Sequence, residues 1–161
     1  MTKEIQLTAQ KVAEYFLWLA KEEGKSMTNK KLQKMIYYAQ AWFLAIHGNK
    51  IFNDKIEAWV HGPAVRAVYI KYKKFGFGPI DLLPSKEEIL EIPEDKKNFL
   101  KEVWKIYGKY DAAYLERLSH SEIPWQKARE NLEPNMGSEN EISPSEMSTF
   151  YGAKLKARQA V

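Results

Sequence analysis

The sequence predicts a mainly α-helical fold, folded as one compact multi-helix domain over residues 1–161. Ser, Thr and Asp residues precede stretches in which apolar side chains recur with helical period. Gly and Pro residues mark the ends of those stretches. The chain has the size of one ordinary domain, and its 45% hydrophobic and 13% aromatic content supplies a substantial core. Residues 50–60 lose the helical period and predict a short β-ribbon.

Two helices are predicted in the first third of the chain. Thr8 is placed to cap the first helix, and Gly24 ends it. Its inward stripe comprises Val12, Phe16, Leu19 and Ala20. Thr28 is placed to cap a second and more apolar helix that ends at Gly48. The stripe of this helix comprises Leu32, Ile36, Ala39, Phe43 and Ile46. We expect the second helix to be the centre of the fold.

The middle of the chain predicts a helix, a loop and a second, shorter helix. Gly62-Pro63 favours a helix start, because proline suits the first helical position. The inward stripe that follows comprises Val65, Val68, Tyr69 and Tyr72. Residues 76–84, with sequence GFGPIDLLP, predict a loop, and Ser85 with Glu88 forms a capping-box pattern after it.

Two further helices are predicted before residue 120. One begins after Pro93 and ends at Gly108, and Asp111 is placed to cap the next. The inward side chains are Phe99, Val103, Ile106 and Tyr107 in the first helix and Leu115 and Leu118 in the second.

The last part of the chain predicts two helices around a polar loop. Pro124 begins one helix, and either His120 or Ser121 is expected to cap it. Residues 133–141 are polar and predict the loop. The segment that begins Ser-Pro-Ser-Glu predicts a C-terminal helix over about residues 144–158.

Composition restricts the possible classes of protein. The chain has no cysteine, which excludes disulfides, a thiol nucleophile and a Cys-ligated zinc site. Its first ten residues are charged where a secretory signal needs an apolar core, and no apolar run approaches the ~20 residues that span a bilayer. We therefore expect a soluble cytoplasmic protein without a membrane partner.

The sequence predicts no catalytic residue, cofactor site or metal site. His47, His61 and His120 are the only imidazoles, and none lies in HExxH or HxH spacing. Ser119 and Ser121 flank His120, but no GxSxG pattern accompanies them. GxGxxG and P-loop patterns are absent as well. For His47 we favour a structural role at a helix C-terminus, where an imidazolium complements the dipole.

Nucleic-acid binding is the main alternative that the charge distribution leaves open. Residues 1–76 carry 13 Lys and Arg against 6 Asp and Glu, a net of +7, whereas residues 77–161 carry 12 against 15, a net of −3. The lysines that lie near aromatic residues are Lys25, Lys30, Lys31, Lys34, Lys71, Lys73 and Lys74. We interpret them as a solvated helix face rather than a phosphate-binding surface, because the nearby aromatics share helices with apolar residues.

Three motifs in order resemble the Panacea domain, also described as the SocA/GepA-like phage-associated proteins. They are LQKMIYYAQ at residues 32–40, EAWVHGPAVRAVY at residues 57–69 and LSHSEIPW at residues 118–125. The resemblance covers most of residues 8–130 and departs mildly at Ala112 and Ala113, where a Ser-Ala pair is expected. The C-terminal helix lies outside it.

The resemblance implies a non-enzymatic antitoxin of a type II-like toxin–antitoxin pair, which neutralises its cognate protein toxin by direct binding. Some members of the family are adaptors that deliver the toxin to a ClpXP-type AAA+ protease, so such a protease is an alternative partner. A DNA-binding, phage-associated regulator is the other alternative. Other members carry a fused DNA-binding domain, and we expect none here because 161 residues fit one domain only.

The two tryptophan-containing motifs provide the candidate binding residues. We expect Trp59 and Trp125 to be packed at two adjacent bends, where one bend also lines the partner surface. Trp, Tyr and Arg commonly dominate such surfaces. The candidate partner-binding residues are Trp59, His61, Arg66, Tyr69, Lys71, His120 and Trp125. We expect an outer surface of the scaffold, rather than an enclosed pocket, to carry the function.

Overall fold

A chain of α-helices surrounds one long helix, with a small β-ribbon at its side. The computed structural model describes residues 6–159. In this range the elements are α1 (Ala9–Glu22), α2 (Asn29–His47), β1 (Glu57–Trp59), β2 (Gly62–Ala64), α3 (Arg66–Tyr72), α4 (Lys86–Leu90), α5 (Glu94–Tyr107), α6 (Ala112–His120), α7 (Ile123–Ala128) and α8 (Pro144–Gln159). A 3₁₀ turn, Lys73–Phe75, follows α3. The predicted mainly α-helical fold is confirmed.

The predicted N-caps of four helices are present. The side chains of Thr8, Thr28, Ser85 and Asp111 each accept a hydrogen bond from the backbone N–H three residues later, at 3.1, 3.2, 3.2 and 2.8 Å. Such bonds satisfy donors that have no partner within the helix. At the other end of α2, Gly48 has a left-handed φ of 76° and closes the helix as predicted.

Helix α2 is the centre of the fold, as its apolar sequence predicted. Almost every residue from Leu32 to Leu44 is buried, on all sides of the helix. It packs against α1, α3, α5, α6, α8 and β2. The surrounding elements therefore shield residues 32–44 of α2 from water on every face.

Helix α8 packs along α2 more extensively than any other element does. Its Met147 and Tyr151 are buried, and Tyr151 contacts the rings of Tyr37 and Trp42. The predicted C-terminal helix is confirmed. It completes the core, although it lies outside the three motifs of the resemblance.

The prediction that Gly62-Pro63 begins a helix is wrong. These residues belong to β2, which pairs antiparallel with β1 in the register Glu57 to Ala64, Ala58 to Pro63 and Trp59 to Gly62. Gly62 has a φ of 112°, which no helix contains. The ribbon therefore extends beyond the predicted window of residues 50–60, and α3 begins only at Arg66.

Three smaller predictions are also wrong. Ile46 is 49% exposed because burial along α2 ends at Leu44, so the last turn extends past the core. Ile106 is 41% exposed because α5 directs Val103, Trp104 and Tyr107 inward instead. The N-cap of α7 is Glu122 rather than His120 or Ser121, and Glu122 makes no side-chain capping bond.

Between residues 6 and 159, no helix is both long enough and apolar enough to cross a bilayer.

Candidate functional site

An open cleft of about 660 Å³ lies between the first turns of α2, the β-ribbon and the start of α3. Gly76 and Phe77 border it on one side, and residues 137–139 border it on another. Its volume falls in the range of ~300–1,000 Å³ that is typical of ligand sites. The cleft is therefore the natural candidate for a binding site in this fold.

Four of the seven predicted site residues line the cleft: Trp59, His61, Arg66 and Tyr69. The other three lie elsewhere. Lys71 is exposed on α3, whereas His120 and Trp125 lie outside the cleft and support the ribbon. Four candidates thus lie at the open cleft and two lie behind the ribbon, whereas Lys71 lies on the exposed face of α3.

The aromatic wall of the cleft is held in place by Glu57. Trp59 and Tyr69 meet edge to face, with ring centroids 4.9 Å apart. The guanidinium of Arg66 lies 5.3 Å from the Trp59 ring centroid. Glu57 Oε1 accepts hydrogen bonds from Trp59 Nε1 and from an Arg66 Nη, both at 2.8 Å. Burial opposes ionisation of Glu57, but these bonds outweigh it and hold the pKa of the carboxyl below its ordinary value.

The LSHSEIPW motif supports the ribbon from behind. Trp125 donates its indole N–H to the Trp59 carbonyl at 2.9 Å, which confirms that the two tryptophans lie together. His120 stacks on the Trp125 ring with centroids 4.0 Å apart. Arg129, just after α7, donates to the Ala58 carbonyl at 2.9 Å. The motif therefore fixes the position of Trp59 in the cleft.

Polar side chains of α2 form the floor of the cleft and fasten the ribbon to the helix. Gln33 accepts a hydrogen bond from the Val65 N–H at 2.8 Å and donates to Asn29 Oδ1 at 2.9 Å. Asn29 in turn donates to the Tyr69 carbonyl at 3.1 Å. Each bond satisfies a buried polar group that would otherwise cost free energy.

Lys34 is a buried cation at this floor. It is 2% exposed, and its Nζ donates to the Pro63 carbonyl at 3.2 Å. Burial lowers the pKa of its ammonium to about 7, while Glu116 opposes the shift and Lys30 adds to it. The prediction that all these lysines form a solvated face is therefore wrong for Lys34, because the ribbon folds over it.

The rim of the cleft carries one ion pair and one fully exposed aromatic ring. Lys30 Nζ lies 2.5 Å from Glu116 Oε1, and His61 Nδ1 lies 3.4 Å from the same oxygen. Burial opposes ionisation of Glu116, but the bond from Lys30 outweighs it and lowers the pKa of the carboxyl. Phe77, which also lines the cleft, is 99% exposed.

The sequence analysis did not identify Asn29, Gln33, Lys34 or Phe77 as site residues. One signal for Phe77 was available, because an aromatic residue between two glycines of a loop has no helical stripe to join. No comparable signal was available for Lys34, because its burial depends on the distant ribbon that packs over it.

The histidines and the serines beside His120 make ordinary packing and hydrogen-bond contacts. The hydroxyls of Ser119 and Ser121 donate to the helix carbonyls of Glu116 and Leu118, at 3.0 and 2.6 Å, rather than to His120. His47 ends α2 as predicted and packs on Phe43. Within the described part of the chain, no three His, Asp or Glu side chains come together in a way that could hold a metal ion.

Most lysines of the first basic segment are engaged within the protein. Lys25 pairs with Glu23 at 3.2 Å, and Lys31 donates to the Gly108 carbonyl at 2.5 Å. Lys30 and Lys34 are held as described above. These four side chains are therefore not aligned as a free phosphate-binding face, although Lys71, Lys73 and Lys74 are exposed.

Comparison with known proteins identifies one family. A family model described as "Antitoxin SocA-like, Panacea domain" matches residues 32–126. Antitoxin SocA of Caulobacter vibrioides (strain NA1000 / CB15N) is 29% identical over 121 residues, which cover 69% of this chain and 64% of that relative. The match thus spans less than two thirds of the relative's length. No solved structure matches the chain. The family match includes the β-ribbon, α3 and Phe77, and it ends before α8.

Proposed function

The chain belongs to the SocA-like antitoxin family with the Panacea domain, and from this premise we propose that it is the antitoxin of a type II-like toxin–antitoxin pair. It neutralises a cognate protein toxin by direct binding, and the cleft face is its contact surface. The motifs that characterise the resemblance build this cleft and its support, which favours the cleft over other faces of the molecule.

Phe77 is the observation that carries the choice of surface. Single exposed apolar side chains are ordinary on soluble proteins. Phe77 differs because it is 99% exposed and borders a cleft whose other walls include Trp59, Val60 and Tyr69. An aromatic side chain beside a preformed aromatic wall is the usual composition of a protein-binding hot spot.

The proposed mechanism is stoichiometric inhibition rather than catalysis. The indole of Trp59 is fixed by its bond to Glu57 and the ring of Tyr69, so binding costs little side-chain ordering there. Polar and charged groups at the rim, including His61 and Lys30, add complementarity that salt screens. We expect affinity to weaken with salt and to persist at high salt.

Replacing Phe77 by alanine tests this surface. The assay tests the product of the neighbouring open reading frame as the toxin, and it measures growth of cells that express both proteins. Phe77→Ala should abolish protection and should lower the affinity of the purified proteins by at least about 30-fold, as expected for a hot-spot aromatic. Its thermal unfolding should not change, because the ring is exposed.

Leu90→Ala is the matched control. Leu90 is 65% exposed on α4, and it does not line the cleft. It should protect cells as the unaltered protein does. Equal protection by Phe77→Ala and Leu90→Ala would show that the cleft face is the wrong surface.

The two alternatives have distinct signatures. An adaptor for a AAA+ protease would lower the toxin level only while the protease is present, so an immunoblot in a protease-deletion strain distinguishes adaptor from inhibitor. A DNA-binding regulator would shift its own promoter fragment at low salt, through residues such as Lys71, Lys73 and Lys74. Protection that persists without the protease, together with no promoter shift, supports direct inhibition.

A further inference from the structure

The cleft combines an aromatic wall with one buried cation whose hydrogen-bonding capacity is incompletely used. We propose that the cleft receives an Asp or Glu side chain from an apolar segment of the partner protein, and that this carboxylate pairs with the Lys34 ammonium at the floor. This inference rests on the proposed function and specifies the chemistry of the same site. It identifies the partner by an acidic side chain with apolar neighbours.

Charge complementarity singles out Lys34. The other two cations of the cleft already have carboxylate partners: Lys30 pairs with Glu116, and Arg66 pairs with Glu57 at 2.8 Å and Glu139 at 3.2 Å. An ammonium group has three N–H donors. Among residues 6–159, Lys34 Nζ bonds one acceptor, the Pro63 carbonyl, and Glu116 acts on it only through space.

The ribbon packs closely over the side chain of Lys34. Gly62 packs against its side chain, and a Cβ at that position would lie 2.4 Å from Lys34 Cε. A leucine or methionine at position 34 would fill similar space without the cost of burying an ammonium. The cation is therefore better explained by a ligand than by packing.

A side-chain carboxylate fits the cleft better than a chain terminus. Because Lys34 is 2% exposed, the anion must reach to the floor on a stem. The methylene groups of an Asp or Glu side chain provide that stem, while the backbone stays at the rim. A C-terminal carboxylate would carry its own amide N–H and carbonyl downward, and these would need further partners. The apolar neighbours of the acidic residue would contact Trp59, Tyr69 and Phe77.

Binding of a carboxylate should take up a proton. Burial lowers the pKa of Lys34 to about 7, so part of the protein carries a neutral amine near neutral pH. The charged or titratable groups that act on Lys34 are Lys30 on α2 and Glu116 and His120 on α6. An incoming carboxylate favours the charged form, and affinity should therefore fall as the pH rises from about 6.5 to about 8.5.

A double-mutant cycle tests the pairing. Full-length antitoxin and the toxin from the neighbouring reading frame are purified, and each Asp or Glu of the toxin is replaced in turn by Asn or Gln. Lys34→Met should lower affinity by at least about 30-fold, as expected when one partner of a buried charge pair is removed. One toxin variant should lose the same factor, and combining it with Lys34→Met should cause no further loss. Lys101→Met, at an exposed lysine of α5 outside the cleft, is the control.

The outcomes separate this inference from the proposed function. If the affinity of Lys34→Met for the toxin is within about 3-fold of the affinity of the unaltered protein, the pairing is wrong. It is also wrong if, for every toxin carboxylate, the affinity loss of the double variant equals the product of the two single losses. Loss of binding only when the toxin C-terminus is extended would assign the carboxylate to the chain end and overturn the side-chain assignment. If Lys34→Met does not fold, the affinity of the unaltered protein is measured between about pH 6.5 and 8.5 instead. An affinity that does not change over this range overturns the pairing. In each of these cases the proposed function stands if the unaltered protein binds the toxin and Phe77→Ala does not. If the unaltered protein does not bind the toxin, both the proposed function and this inference are wrong.

Discussion

The indole N–H of Trp125 donates a 2.9 Å hydrogen bond to the backbone carbonyl of Trp59, across 66 residues of sequence. This bond joins the two tryptophan-containing motifs. It holds the last residue of β1 against the start of α7, and Trp59 in turn forms the aromatic wall of the cleft. A residue outside the cleft thus determines the position of a residue within it.

Trp125→Phe should destabilise the protein by about 1 kcal/mol. The ring is largely retained, but the Trp59 carbonyl loses its donor, and one net hydrogen bond has about that value. The measurement is urea unfolding followed by circular dichroism. Trp18→Phe, in a partly buried position of α1, controls for the smaller ring. A midpoint for Trp125→Phe that equals the control would contradict a role for the indole bond.

Glu122→Gln should destabilise the protein by about 1.5–3 kcal/mol, the range for hydrogen bonds to charged groups. Glu122 is 4% exposed, and its Oε1 accepts from the hydroxyls of Tyr38 at 2.7 Å and Tyr151 at 2.9 Å. Lys154 Nζ lies 3.2 Å from Oε2. Because Tyr38 is on α2 and both Tyr151 and Lys154 are on α8, one carboxylate joins α7 to both helices.

The control for this change is Glu130→Gln, at an exposed position after α7. Exposed substitutions of this kind usually change stability by no more than about 0.5 kcal/mol. Thermal and urea unfolding of the two variants should therefore differ clearly. If they unfold together, the buried network contributes nothing beyond its shape.

Local signals in the sequence predicted the helices well. The capping bonds of Thr8 and Asp111 connect residues three positions apart, so the chain needs no distant partner to form them. The central position of α2 was predictable for a similar reason, since its apolar residues occur on all sides and require burial all round.

Features that depend on distant contacts were not predictable in this way. Gly62-Pro63 has the local pattern of a helix start, but pairing with β1 and packing over Lys34 make it a strand. The burial of Lys34 depends on the same long-range contact. In the candidate site, the sequence therefore identified the aromatic wall through Trp59 and Tyr69, and it missed the floor that the ribbon covers.

Gly62→Ala should destabilise the protein by about 1–3 kcal/mol, the range for a strained backbone position. The φ of 112° is unfavourable for any residue with a Cβ, and the new methyl group would lie 2.4 Å from Lys34 Cε. Gly24→Ala is the comparison, because Gly24 also has a positive φ, 67°, but nothing lies within 4 Å of an added Cβ. Chemical unfolding of both variants measures the difference.

A larger loss for Gly62→Ala than for Gly24→Ala would combine the less favourable φ of Gly62 with its contact to Lys34. Shortening the lysine isolates the contact, since Lys34→Ala removes the Cε that the methyl group meets. The double variant should then recover part of the loss, as non-additivity is expected for residues in contact. Equal losses at the two glycines would mean that only the backbone conformation matters.

Stability should rise with pH above neutrality because of Lys34. Its pKa falls from an ordinary 10.5 to about 7 on folding, so between these values the unfolded chain binds more protons than the folded protein. Unfolding free energy must therefore increase with pH in this window, by at most about 1.4 kcal/mol per pH unit. Below about pH 7 the lysine is protonated in both states, and the cost of burying its charge is present in full.

The comparison of Lys34→Met with the unaltered protein isolates this effect. Lys31 also has a lowered pKa, but it is present in both proteins and cancels in the difference. Tyrosines with raised pKa values, such as Tyr15 at about 12, act only above about pH 10. Urea unfolding at about pH 7.5, 8.5 and 9.5 should show the stability advantage of Lys34→Met shrinking as the pH rises. Parallel curves for the two proteins would show that Lys34 keeps an ordinary pKa in the folded state.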